Sequence, residues 1–211
     1  RTALVYSRNT TALQTFKAVG ETNIKSFLNN LDIQIKNDGQ DYLVESNSIG
    51  ADISPIKMTA AYATFGNYGT YSKPYTVTKV TTRDGQVTEF KPEQKQAMKD
   101  STAYMITDVL KDSFKYGFAT QAAIPGLPTA AKTGSSNYTV EQKRAMGASD
   151  YEDIIPDSWF IGYSTNYTIS AWTGYDNPYE QGGGVDTTEQ EYSRLIYYYL
   201  MKYMAESSSG D

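Results

Sequence analysis

Ala130-Ala131-Lys132-Thr133-Gly134-Ser135-Ser136 is the stretch on which the reading of this sequence turns. It is made of small residues, carries one cation, and ends in closely spaced hydroxyls at Thr133, Ser135 and Ser136. The turn-forming run Pro125-Gly126-Leu127-Pro128 precedes it, which suits entry into an extended segment. A strand of this composition at a sheet edge presents backbone N–H groups, hydroxyls and an ammonium side by side. Such a set can hold a carboxylate and stabilise a developing oxyanion. Gly134 has a steric reason, because a bare Cα lets a ligand backbone lie flush against the strand. Taken alone, Lys-Thr-Gly also fits a half-buried edge strand with a solvated lysine.

Outward from this stretch, composition narrows the chemistry. The chain has 211 residues, 39% hydrophobic and 20% charged, as expected of one globular domain. A net charge of −5 argues against an electrostatic nucleic-acid binder, so no nucleic-acid partner is expected. There is no cysteine, which removes disulfides, thiol nucleophiles and thiolate metal sites. There is also no histidine, which removes every Ser-His-Asp device and makes zinc improbable. No metal or cofactor is expected, and a base for acyl transfer must be lysine or a carboxylate. No apolar run reaches the length of a membrane span, and no signal peptide is visible.

The periodicity predicts a mainly antiparallel sheet flanked by helices, with an adjoining helical subdomain. Strands are expected at Ser158 to Ser164 and Tyr167 to Tyr175, and a ribbon at Tyr75 to Phe90 around the turn signal Asp84-Gly85. Asn9 is expected to cap a helix bearing Ala12, Leu13, Phe16 and Val19 and stopped by Gly20. A second helix follows to Leu31, capped near Thr22. Asp32 to Gly50 reads as polar surface loop. A further helix, capped at Asp100 or Ser101, carries Met105, Ile106, Val109, Leu110 and Phe114. Asn137 to Pro156 reads as a long polar connection with few apolar anchors, a candidate mobile lip. Gln181 to Gly184 reads as a flexible link. Thr187 or Thr188 is expected to cap a last helix whose stripe Tyr192, Leu195, Ile196, Tyr199, Leu200 and Tyr203 covers the sheet. Residues 207–211 read as a flexible tail.

A second motif, Ser7-Arg8-Asn9, changes the weight of Lys132-Thr133-Gly134-Ser135. By itself it fits turn-and-cap duty, but S-x-N and K-T-G-S together are two of the three signatures of the penicillin-recognising serine acyltransferases. The surroundings are more specific. Leu4 to Leu13, Ser54-Pro55-Ile56-Lys57-Met58 through Gly69, Asp157-Ser158-Trp159-Phe160-Ile161-Gly162-Tyr163, and Ala171-Trp172-Thr173-Gly174-Tyr175-Asp176 resemble, in order, the transpeptidase domain of class A penicillin-binding proteins. The resemblance runs from about Leu4 to Tyr203 and is closest to enzymes of Gram-positive cocci, streptococcal-like.

That resemblance implies the penicillin-binding protein and β-lactamase-like α+β fold, incomplete here, with residues 1–206 as the C-terminal part of the domain. Only the family specifies a five-stranded sheet. Ser54-Pro55-Ile56-Lys57 matches the family's nucleophile motif S-x-x-K, but follows S-x-N where the family's nucleophile precedes it. As an N-cap, Ser54 would also spend its oxygen on a backbone N–H. The nucleophile is therefore expected upstream of Arg1, on a companion N-terminal segment.

The roles implied are proton relay for Ser7, a grip on the substrate's peptide group for Asn9, and positive potential from Lys132. Thr133 and Ser135 would bind the substrate carboxylate, and the N–H of Ser135, beside Gly134, would form half of an oxyanion hole. The implied activity is D,D-transpeptidation of peptidoglycan stem peptides, blocked by β-lactams, at the extracytoplasmic face of the cell membrane. The alternatives are a D,D-carboxypeptidase or serine β-lactamase, and a non-catalytic cell-wall-binding module.

Overall fold

The computed structural model describes residues 1–208. Three helices open the chain: α1 (Thr2–Val5), α2 (Asn9–Val19) and α3 (Glu21–Asn30). A two-stranded hairpin of β1 (Lys36–Asn37) and β2 (Gln40–Asp41) follows, then α4 (Pro55–Gly66) and β3 (Thr70–Ser72). The ribbon of β4 (Lys79–Thr81) and β5 (Val87–Glu89) leads to β6 (Gln94–Gln96), which returns to pair with β3. Next come α5 (Asp100–Lys111), α6 (Ser113–Tyr116), β7 (Ala130–Ser135) and α7 (Val140–Ala145). The hairpin of β8 (Asp157–Tyr163) and β9 (Thr168–Gly174) leads to α8 (Tyr192–Ser208). Every ladder is antiparallel, and helices flank the sheet, as the sequence pattern predicts.

The central sheet has the order β7-β8-β9, so the Lys132 strand is an edge strand. Successive side chains alternate between faces, and the packing shows which face is which. Ala131 and Phe160 pack against Ala119, Ala122, Tyr197 and Met201, which places them on the α8 side. Ala130 and Tyr163 pack with Leu110, Tyr62, Phe65 and Ile106, on the side of α4 and α5. Tyr163 is fixed there by a 2.8 Å hydroxyl contact with Thr107.

The sequence expectation for α8 is overturned. Tyr197 and Met201 are fully buried and Ser193 is nearly so, while Tyr192, Leu195, Ile196, Tyr199, Leu200 and Tyr203 face outward. Gly162 supplies the reason. A Cβ on it would lie 2.5 Å from the Tyr197 ring, so the bare backbone of β8 leaves the slot that the ring fills. Ser158 completes the seam by donating to the Gln190 carbonyl at 2.8 Å and meeting the Ser193 hydroxyl at 3.0 Å.

Smaller expectations also shift. Asn9 lies inside α2, whose cap position is Arg8, and Gly20 rather than Thr22 precedes α3. Lys99 takes the cap position of α5, Met105 is exposed, and Ala103 and Leu110 form its buried face. The loop 32–50 holds the β1–β2 hairpin and buries Ile33 and Leu43. Asp186, not a threonine, accepts the N–H groups of Thr188 and Glu189 ahead of α8. Two of the three glycines in the run, Gly183 and Gly184, are packed rather than free. A Cβ on Gly184 would lie 2.8 Å from Ile154, and the next residue, Val185, pairs with Ile155. α8 runs through Ser208, so residues 207 and 208 of the expected tail are helical, and residues 209–211 lie outside the described residues.

The connection 137–156 carries more structure than its composition suggests. Tyr138, Met146 and Ile154 form a small core of their own, with Ala148 against it. Thr139 caps α7 by accepting from Gln142 N, and Gln142 returns the bond to Thr139 N at 2.8 Å. Arg144 forks onto Asp150 at 3.0 and 2.6 Å. Thr139→Ala is expected to remove about 1 kcal/mol from this lobe. Amide exchange across residues 140–146 should then quicken by about fivefold with the global melting temperature unchanged. Unaltered protection there would show that the cap does not hold the lobe.

Candidate active site

Ser7 is placed by a chain of contacts that begins at the first residue. Arg1 ion-pairs with Asp108 and, at 2.7 Å, with Asp112, pinning α1 to α5. Val5 is buried against Gly117, where a Cβ would lie 2.9 Å from the Val5 carbonyl oxygen. α1 then ends in a Schellman turn. Ser7 N–H donates to Leu4 O at 3.2 Å and Arg8 N–H to Ala3 O at 2.8 Å. Ser7 occupies the left-handed position of that turn, with φ 53°, where glycine is usual. A non-glycine residue there costs roughly 1 kcal/mol.

Lys132 rises from β7 on the face shared with Ala130, the face of the helical part. Its ammonium donates to Ser7 Oγ at 2.8 Å and to the Thr133 carbonyl at 2.7 Å. Burial pushes its pKa down to about 8, and no carboxylate offsets that shift. The two motifs, 125 residues apart in sequence, therefore meet at one hydrogen bond.

Thr133 and Ser135 take the opposite face by alternation, paired across the ladder with Phe160 and Ser158, whose side chains meet α8. Their hydroxyls have no hydrogen-bond partner among the described residues. β7 is an edge strand, so a ligand lying along its free edge reaches both faces. Gly134 sits opposite Trp159, with room for a Cβ only at 3.3 Å from the Trp159 Cβ. Asn9 is exposed in the first turn of α2, and its side chain likewise takes no partner among the described residues. The structure thus joins Ser7 to Lys132 and leaves Asn9, Thr133 and Ser135 open.

Ser54 is elsewhere. It stands at the N-terminus of α4 with its side chain exposed and making no cap hydrogen bond, contrary to the expectation of a spent oxygen. Its neighbour Pro55 receives a hydrogen bond from Ser170 on β9, the far edge of the sheet. Adjacent strands lie about 4.8 Å apart, so the first turn of α4 meets the sheet two strands from Lys132, at Ser170 on β9. A cavity of about 340 Å³ lined by Ile56, Thr59, Pro74 and Tyr75 belongs to that far region as well.

Asp157, Trp159 and Trp172 adjoin the site, although sequence reasoning gave them no role in it. Asp157 accepts from Ser136 Oγ at 2.8 Å and from Trp172 Nε1 at 2.7 Å. It thereby ties the end of β7 to β9 across β8. The signal available in the sequence is the alternation of β8, which puts Asp157 and Trp159 on one face.

S-x-N and K-T-G-S meeting on an antiparallel sheet beside a helical part are signatures carried by penicillin-binding proteins. The sequence matches the family model described as "Penicillin binding protein transpeptidase domain" over residues 1–198, and the chain belongs to that family. It is 38% identical over 216 residues to penicillin-binding protein 1A of Streptococcus pneumoniae, covering 99% of this chain and 29% of that protein. It is 37% identical to penicillin-binding protein 1A/1B of Bacillus subtilis, covering 100% of this chain and 23% of that protein. The chain thus spans less than a third of the length of either relative. Among solved structures it resembles penicillin-binding protein 1A of Haemophilus influenzae, with TM-score 0.71, 18% identity, and coverage of 93% of this chain and 33% of that one. Penicillin-binding protein 3 of Mycobacterium tuberculosis, solved in complex with aztreonam, gives TM-score 0.70 and 18% identity, covering 96% of this chain and 51% of that one. Among the described residues, no helix is long and apolar enough to cross a membrane.

Proposed function

We propose that this chain is the C-terminal part of a D,D-transpeptidase that cross-links peptidoglycan stem peptides by serine acyl transfer and is acylated by β-lactams. The observation that carries this reading is the 2.8 Å bond between Lys132 Nζ and Ser7 Oγ, which joins the S-x-N and K-T-G-S motifs. In the reaction, Ser7 relays a proton between the nucleophile and the leaving D-alanine. Asn9 holds the substrate's peptide group through its side-chain amide. Lys132 supplies positive potential beside the substrate carboxylate, which the hydroxyls of Thr133 and Ser135 also bind. Gly134 keeps the strand open, and the Ser135 N–H forms half of the oxyanion hole.

The acylated serine and its partner lysine lie on a companion segment N-terminal to Arg1, in a longer parent protein at the extracytoplasmic face of the cell membrane. Two features support a docked segment. Among the described residues β9 has no strand on its outer edge, and the outward stripe of α8 leaves Tyr199 and Tyr203 64% and 66% exposed. An apolar helical face of this size is characteristically covered by another element.

Fluorescent penicillin added to the parent protein tests the reading. The expected result is covalent label on a serine outside these 211 residues, turning over slowly. Rapid turnover would identify a hydrolase, and absence of label an inert binding module. Label on Ser54 would overturn the rejection of the internal S-x-x-K match.

A further inference from the structure

We propose that Ser7 is itself an acyl acceptor, forming with Lys132 a serine–lysine pair that takes acyl groups from activated carboxylic esters such as aryl acetates. The proposal stands apart from the transpeptidase reading, in which Ser7 only relays a proton and another serine is acylated.

Three observations carry it. First, the two groups are in contact at 2.8 Å, the geometry of a nucleophile and its base. Second, the Schellman turn holds Ser7 in a left-handed conformation at the apex between α1 and α2, with its side chain exposed to an incoming ester. Third, among the described residues Lys132 has two polar contacts, Ser7 Oγ and the Thr133 carbonyl, and no carboxylate is one of them. Its nitrogen can therefore lose a proton without breaking an ion pair. Burial favours that loss, and with a pKa of about 8 a large share of Lys132 is neutral in mildly alkaline solution.

Among the described residues, no charged group on the elements packed around the pair forms an ion pair with Lys132. Asp108 and Asp112 on α5 bind Arg1, and Lys115 on α6 lies 3.8 Å from Asp112. Asp157 on β8 accepts from Ser136 and Trp172. Arg8 follows Ser7 and is exposed, and Lys111 ends α5. None of these shifts Lys132, whose only perturbation is burial. Two residues past Ser7 the chain enters α2, eleven residues long, whose N-terminal dipole favours negative charge on an oxygen held at Ser7.

The step balances within the pair and its substrate. Ser7 Oγ attacks the ester carbonyl carbon as its proton passes to neutral Lys132 Nζ. The tetrahedral adduct collapses, the bond to the aryl oxygen breaks, and the phenolate departs with the electron pair. Lys132 releases its proton to solvent, and water then attacks the acyl-serine, giving a proton to the neutral Lys132 amine. Ser7 Oγ leaves, recovers its proton, and a carboxylic acid is released.

The test uses the parent protein, its penicillin-labelled serine changed to alanine, with p-nitrophenyl acetate, following nitrophenolate release and mapping acetyl groups by mass spectrometry. Acetyl on Ser7 is expected, with release at least tenfold faster than from Ser7→Gly and rising through about pH 8. Glycine suits the left-handed position, so that variant keeps the turn and removes only the oxygen. Lys132→Met should abolish the acetylation of Ser7, and Ser7→Cys should restore acyl transfer. Acetyl confined to surface lysines or tyrosines, or equal rates in the wild type and Ser7→Gly, would overturn the proposal. Penicillin labelling of the parent protein is read at a different serine, so the two readings stand or fall separately.

Discussion

Lys132→Ala is expected to slow penicillin acylation of the parent protein by at least about a hundredfold, with the melting temperature little changed. Removing one pre-organised donor from such a site typically raises the barrier by about 3 kcal/mol. Lys132 is the cation on this stretch of β7, and its ammonium bridges Ser7 and the Thr133 carbonyl, so its loss also frees the relay hydroxyl. The second-order acylation rate measures this directly. A rate within about threefold of wild type would reduce Lys132 to a solvated edge residue. The pH dependence has a definite sign. Burial lowers the Lys132 pKa to about 8, so the cation proposed to draw the substrate carboxylate fades as pH rises through that value. The same depression makes the charged form costly in the fold. Relative to Lys132→Met, the wild type should therefore gain stability between about pH 8 and the ordinary lysine value of 10.5, where the unfolded chain binds more protons.

Tyr197→Ala is expected to cost about 3–5 kcal/mol, the range for truncating a large buried aromatic. The ring is fully buried, stacks at 4.6 Å from Phe160, and fills the slot over Gly162. Urea unfolding should show the midpoint falling with little change in slope. Gly162→Ala probes the same slot from the other side. Its new methyl would meet two ring carbons and the hydroxyl oxygen of Tyr197 between 2.5 and 2.8 Å, an overpacking worth about 1–3 kcal/mol. A loss under about 1 kcal/mol for Tyr197→Ala would mean that α8 is held to the sheet by something other than this ring.

The two effects bear on what the sequence could show. The β8–β9 hairpin was legible because Trp159, Ile161 and Tyr163 alternate with Ser158, Phe160 and Gly162 in a run bounded by polar residues. The Lys132 strand was legible from its small residues and the prolines before it. The orientation of α8 was not, because its sequence is apolar on more than one face. Periodicity selected Tyr192, Leu195, Ile196 and Tyr199, while the sheet selected Tyr197 and Met201. That choice depends on Gly162, a long-range complement that no pattern within the helix encodes. The lobe 137–156 was missed for a related reason. Its anchors include Val185, paired with Ile155, and Pro178, whose carbonyl accepts from the Tyr138 hydroxyl at 2.5 Å. For the site, the motifs predicted the meeting of Ser7 and Lys132. The left-handed backbone of Ser7 was invisible because glycine is its usual sequence signal.

The pairing of Trp159 with Trp172, joined through Asp157 to the end of the Lys132 strand, gives the molecule an optical property. These are the only tryptophans in the sequence, their rings are 6.5 Å apart, and they lie in register beside Gly134. Excited at the red edge of indole absorption, where the nineteen tyrosines are silent, the chain emits from this one corner of the sheet. The Trp172 indole N–H is bonded to Asp157, which also holds Ser136, so a shift of the strand end alters the field around an emitting ring. These 211 residues carry their indole fluorophores together, beside the strand on which a ligand of Lys132 would lie.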